Sequence, residues 1–102
     1  NAAKVEAALR EEFTRLVEQG VTEQEVRDAV AAVLASRQRG RGEDGVIASL
    51  TGAHVAYGRD WAFESARDAA YSALTVEQVN AAIRRYFKPA ELTVVVAGDL
   101  PE

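Results

Sequence analysis

Apolar residues recur at helical spacing through most of this chain and predict a series of amphipathic helices. The first predicted helix runs from about Ala2 to Gln19. Its apolar stripe consists of Val5, Leu9, Phe13, Leu16 and Val17. Gly20 predicts the end of this helix, because glycine adopts the left-handed backbone conformation at low cost.

Polar cap residues divide the rest of the helical pattern. Thr22 with Glu25, and Thr75 with Gln78, have the spacing of a capping box, so each predicts a helix start. Asp60 predicts a further helix start. The pattern predicts five helices, the last four over about 22–37, 44–57, 61–73 and 75–88.

The final apolar run has a different period and predicts a strand. The strand begins at Leu92 and ends at Ala97, before Gly98 and Asp99, and its apolar residues fall on both faces of a pleat. Such a run suits a strand inside a sheet that is covered on both faces. The rest of the sequence contains no second strand pattern. We therefore predict an α+β fragment, mainly helical, whose strand belongs to a larger antiparallel sheet, with residues 1–102 forming one segment of an incomplete domain.

Composition narrows the function classes. Hydrophobic residues make up 48% of the 102 residues, and the net charge of -4 argues against a nucleic-acid partner, which normally meets a basic face. No apolar run approaches the length of a membrane span, so we expect no membrane partner. The absence of cysteine excludes disulfides and a thiol nucleophile, and leaves the compartment open.

Candidate catalytic groups are few. His54 is the single histidine, and its neighbours one turn away are apolar or small, so we interpret it as a partly buried helix histidine and not a metal ligand. The four serines lack a glycine elbow or a paired base: Ser36, Ser49, Ser65 and Ser72. We predict no catalytic and no metal-binding residue in this segment, and we assign no substrate-binding residue.

The charged residues are interpreted as solvated. Most carboxylates lie opposite the apolar stripes: Glu11, Glu12, Glu18, Glu23, Glu25, Asp28, Glu64, Asp68 and Glu77. The basic run 37–42 (RQRGRG) could contact phosphate or RNA, but Glu43 and Asp44 follow it at once. We interpret the run as a flexible, solvated loop, and rank an RNA-binding function through it well behind the other hypotheses.

Three runs together resemble the pitrilysin/insulinase family of zinc metallopeptidases. They are 16–26 (LVEQGVTEQEV), 74–79 (LTVEQV) and 83–99 (IRRYFKPAELTVVVAGD), and the resemblance extends over about 7–99. Each run alone is ordinary helix or strand pattern, whereas their order and spacing are more specific. The short linkage between the last helix and the strand looks more like that of the family's second, non-catalytic unit.

The resemblance implies a function for the parent protein. The family's unit is an α/β domain with an antiparallel sheet, and two units enclose peptide substrates. The family's zinc motif, an inverted His-x-x-Glu-His, is absent here, so this segment is expected to be non-enzymatic and without a cofactor, with zinc in the parent's catalytic unit. Its expected role is structural support of the substrate chamber, and its expected partner is the rest of its domain or a homologous catalytic domain.

A second hypothesis needs no peptidase. The chain could be a helical interaction module that adds its strand at 92–97 to a partner's sheet, and the same strand would allow self-association. The sequence does not distinguish an active parent from an inactive relative.

Overall fold

The computed structural model describes residues 2–97, and within them the regular structure is helical. The helices are α1 (Ala2–Gln19), α2 (Glu23–Gly40), α3 (Asp44–Tyr57), α4 (Trp61–Ser72) and α5 (Val76–Tyr86), followed by a short 3-10 helix at Pro89–Glu91. The five predicted helices are confirmed. Two bounds differ from the prediction, since α2 continues to Gly40 and α5 ends at Tyr86. No helix in 2–97 is both long and apolar enough to cross a bilayer.

The helices form two structural units. One unit contains α1 with the turn that follows it, α5 and the segment after α5. The other is Glu23–Thr75, which contains α2, α3 and α4.

In the unit of α1 and α5, a turn and a ring stack hold the helices together. Phe13 of α1 stacks on Phe87, with ring centroids 5.3 Å apart. Gly20 ends α1 in the left-handed conformation (φ 71°), as predicted. The side-chain amide of Asn80 makes two hydrogen bonds with the backbone of Val21, the residue after Gly20. Its Oδ1 accepts from the Val21 N–H at 2.8 Å, and its Nδ2 donates to the Val21 carbonyl at 3.0 Å.

In the unit of α2, α3 and α4, local signals set two helix ends, and the predicted helix start at Asp60 is confirmed. Gly58 ends α3 with φ 62°, and its N–H donates to the carbonyl of His54. Asp60 caps α4, because its carboxylate accepts from the Phe63 N–H at 3.0 Å. Apolar burial is thin here, and Val26 is the one hydrophobic residue in 2–97 that is buried, at 7% exposure.

The predicted strand and the α+β class are wrong for this chain. Residues 92–97 form no strand, and the described part of the chain contains no sheet. A strand exists only as half of a hydrogen-bonded pair, and every other regular element in 2–97 is a helix. Apolar residues on both faces show only that the run is hydrophobic, because a strand also needs a second strand to pair with. Without that partner, Val95 is 87% exposed. Gly98 and Asp99, which complete the predicted ending, lie outside the described residues.

Candidate functional site

The best-buried polar groups of the described chain lie together in the unit of α2, α3 and α4. Glu64 is only 4% exposed and His54 7%, so both are at least as buried as Val26. A carboxylate in such a place is costly unless it is paired and hydrogen-bonded. This cluster is therefore the candidate functional site of the described chain.

Helical spacing brings the members of the cluster together. Glu64 and Asp68 lie four residues apart on α4, which places them on one face. Arg37 lies in the last turn of α2, and Arg41 follows that helix. These two residues are also four apart. The two pairs meet as complementary charges. We call Arg37, Arg41, His54, Glu64 and Asp68 the Glu64 network.

Glu64 is held from two sides. Arg37 Nη2 donates to Glu64 Oε2 at 2.7 Å, and His54 Nε2 lies 3.2 Å from Glu64 Oε1. Arg67 adds a longer ion pair, Nη1 to Oε2 at 3.7 Å. Both oxygens of the buried carboxylate are thereby engaged.

Asp68 continues the network toward the end of α2. Arg37 Nε donates to Asp68 Oδ1 at 2.5 Å, and Arg41 Nη2 donates to Oδ2. Arg37 thus bridges Glu64 and Asp68. No buried side-chain nitrogen or oxygen within 2–97 lacks a hydrogen-bond partner.

These contacts set the charge states. The hydrogen bond from Arg37, then that involving His54, lowers the pKa of Glu64 below its usual range. The hydrogen bonds from Arg41 and Arg37 lower the pKa of Asp68 likewise. Hydrogen bonds to Glu64 and Asp68 raise the pKa of Arg37 in turn. At neutral pH both carboxylates are ionised and both are neutralised locally.

Aromatic rings and a small cavity flank the network. The rings of Trp61 and His54 are nearly perpendicular, with centroids 4.9 Å apart, and the Arg37 guanidinium lies 5.8 Å from the centre of the Tyr71 ring. A cavity of about 260 Å³ opens beside it, with Arg37, Arg41 and Glu64 among its lining residues. Each of those three charged groups already has a partner of opposite charge.

The arrangement is poorly suited to nucleophilic or metal chemistry. The hydroxyls of Ser65 and Ser72 donate to the carbonyls of Trp61 and Asp68, so each is engaged by its own helix. Within residues 2–97 no three His, Asp or Glu side chains are grouped to hold a metal ion. The residues present do not fit zinc, because the carboxylate beside His54 is already paired with Arg37, whose guanidinium would repel a cation.

Two interpretations from the sequence need correction. The run 37–42 is not a flexible loop, because α2 continues to Gly40 and Arg37 is held by α4. The acidic partners of this run are Glu64 and Asp68, and not Glu43 and Asp44. Glu64 is accordingly not part of a solvated helix face.

His54 lies in a helix, as predicted, and is buried. The prediction missed its pairing with Glu64. The signal that could have found the network is the matched spacing of two arginines and two carboxylates, each pair four residues apart.

Comparison with known proteins gives no family for this chain. No family model matches it. No curated protein and no solved structure has significant similarity to it either.

Proposed function

We propose that this chain is a non-catalytic, structural part of a zinc-metallopeptidase-like protein. The observation that carries the proposal is the closure of the Glu64 network. Its two carboxylates and two arginines satisfy one another, so the best-buried polar groups hold three helices and leave none of these four charges for chemistry. A cluster of this kind supports a scaffold role better than a catalytic one.

The resemblance of three runs in order supports the same family. The runs 16–26, 74–79 and 83–99 carry it. The helices that the first two predict are present, whereas residues 92–97 of the third run form no strand. We propose that the parent's catalytic unit supplies the zinc site. This segment then supports the substrate chamber and docks against that unit or against the rest of its own domain.

Exposed apolar surface supports a protein partner for this chain. Among the large hydrophobic residues with substantial exposure are Val5, Leu9, Val55, Tyr57, Tyr86, Val95 and Val96. Scattered apolar residues are normal on a surface. A chain with one buried hydrophobic residue in its described part, however, gains little stability from its own core.

The test begins with the coding sequence that flanks this chain. We expect it to encode His-x-x-Glu-His, and we expect the unit that carries this motif to co-purify with the chain when the two are co-expressed. Zinc-dependent, chelator-sensitive cleavage of a peptide library should belong to that unit and be absent from this chain alone. Chelator-sensitive cleavage by the chain alone would refute the scaffold role, and a flanking sequence without the motif would refute an active parent.

The second candidate is a helical interaction module without a peptidase. The exposed apolar residues support it equally, whereas the resemblance does not. Sedimentation of the purified chain discriminates between the two. A stable monomer that unfolds cooperatively favours the module, and concentration-dependent self-association favours a segment of a larger domain.

A further inference from the structure

Arginine and aromatic side chains alternate at the corner where α3 passes into α4. The Arg59 guanidinium lies 5.2 Å from the centre of the Tyr57 ring and 4.5 Å from that of Phe63. Arg67 lies 5.7 Å from the same Phe63 ring. We call Tyr57, Arg59, Phe63 and Arg67 the arginine–aromatic stack. The stack touches the Glu64 network at one point, the 3.7 Å ion pair of Arg67 with Glu64.

The local backbone fixes this order. Gly58 ends α3 in the left-handed conformation, and Asp60 caps the start of α4, so Arg59 is the middle residue of the three-residue corner between the two helices. Phe63 and Arg67 then lie four residues apart on one face of α4. A guanidinium held against two rings loses little further freedom when it binds a ligand.

The charge of the stack is poorly compensated. No carboxylate of residues 2–97 lies within ion-pair distance of Arg59, and the ion pair of Arg67 with Glu64 is long, at 3.7 Å. Glu64 is already held by Arg37 at 2.7 Å. The carboxylate nearest in sequence, Asp60, accepts a hydrogen bond from the Phe63 N–H.

The stack is also accessible and has the composition of a binding hot spot. Tyr57 is 71% exposed, and Trp61, in the first turn of α4, is exposed as well. Tyrosine, tryptophan and arginine are the residues that most often dominate the binding energy of protein interfaces. Arginine pairs with carboxylates through two parallel hydrogen bonds.

We propose that the arginine–aromatic stack docks an acidic peptide segment of another protein. A glutamate or aspartate of that segment pairs with Arg59, and an adjacent apolar side chain packs on Tyr57. The inference does not rest on the family or on the proposed scaffold role.

Charge complementarity selects the occupant. A long polyanion such as RNA would also meet the acidic surface of a chain with net charge -4, whereas a short acidic segment senses mainly charges within a Debye length of about 8 Å.

The experiment measures binding of a labelled peptide of glutamates and leucines to the full 102-residue chain by fluorescence anisotropy. A peptide with glutamine at every glutamate position, and a single-stranded RNA of equal length, are measured alongside. Of the three ligands, we expect only the glutamate peptide to bind, with an affinity that falls as the salt concentration rises. Arg59→Gln should weaken this affinity about tenfold or more, because a charged contact of two hydrogen bonds is lost.

The matched control is Arg85→Gln. Arg85 rests on one ring only, that of Tyr86, at 5.2 Å, and lies in the other unit. The Arg85→Gln substitution should leave binding of the glutamate peptide unchanged. Arg59→Lys keeps the charge but not the planar fork, so its affinity should fall between wild type and Arg59→Gln. Far-ultraviolet circular dichroism checks that each variant is folded. If Arg59→Gln does not fold, the comparison of wild type with Arg59→Lys decides the test.

Three results would overturn the proposal. They are no binding of the glutamate peptide, tighter binding of the RNA, and equal binding by wild type and by every folded Arg59 variant.

Discussion

At the scale of single residues, Glu64 is the most consequential side chain in the described chain. It receives Arg37 and His54 on separate oxygens while only 4% exposed. A buried ion pair adds little net stability compared with a hydrophobic pair of the same shape, but removing one partner alone leaves a buried charge without compensation. Substitutions that split the pair should therefore cost more than its net contribution.

Glu64→Gln should lower the free energy of unfolding by about 2–4 kcal/mol, because Arg37 loses its buried counterion and keeps only Asp68. Urea denaturation at neutral pH measures this difference. Glu18→Gln is the matched control, since Glu18 is an exposed helix carboxylate, and it should stay within about 0.5 kcal/mol of wild type. Equal stability of the two variants would contradict the assignment of Glu64 to a buried pair.

The burial of Glu64 could not be predicted from its residue type. Glu64 lies three residues after Trp61 and seven before Tyr71, so it shares a face of α4 with these rings, but a carboxylate normally faces water. What buries Glu64 is its position opposite Arg37, 27 residues earlier in sequence. Sequence periodicity describes one helix at a time and carries no information on which faces of two helices meet.

At the scale of elements, the joint between α1 and α5 depends on a match between glycine and asparagine. A Cβ atom added at Gly20 would lie 2.4 Å from Asn80 Oδ1, closer than two such atoms can approach. A side chain at position 20 would therefore displace the Asn80 amide from the two hydrogen bonds that it shares with Val21. The turn needs glycine both for its φ and for space.

Asn80→Ala should destabilise the unit of α1 and α5 by about 1–2 kcal/mol, because the N–H and carbonyl of Val21 both lose a partly buried partner. Asn80→Asp should not rescue it. Aspartate can still accept from the Val21 N–H, but it has no donor for the carbonyl. Thermal unfolding of the three proteins tests the order, and full stability of Asn80→Asp would show that the second hydrogen bond does not matter.

Helix positions were predictable from sequence, whereas the structure of the last apolar run was not. Gly20, Gly58 and Asp60 act within a few residues of their own position, so their effects on helix ends can be inferred locally. A strand at 92–97 would need a pairing edge from elsewhere in the chain. The apolar pattern of that run could not show that the regular elements within 2–97 are all helices.

At the scale of the whole molecule, the carboxylates of the Glu64 network make stability depend on acid. Folding lowers the pKa of both Glu64 and Asp68, so their contribution is fully present above the unfolded pKa values of about 4. The contribution is lost as the pH falls through the lower folded values. Stability should therefore decrease below pH of about 4.

Urea unfolding of wild type and of the double variant Glu64→Gln, Asp68→Asn from neutral to acid pH tests this dependence. The double variant should be less stable at neutral pH, and its free energy of unfolding should vary less as the pH falls. Parallel curves for the two proteins would contradict a role for these carboxylates in the acid response. Glu18→Gln again serves as the control, and its curve should follow that of wild type.

The contact between Trp61 and His54 provides an intrinsic optical probe. The sequence contains a single tryptophan, and its ring meets the imidazole that contacts Glu64. All native indole fluorescence therefore arises beside the Glu64 network, without any label or added chromophore. Its intensity and emission wavelength should change when the contact between α3 and α4 opens, which makes local loosening of this unit visible in an ordinary fluorimeter.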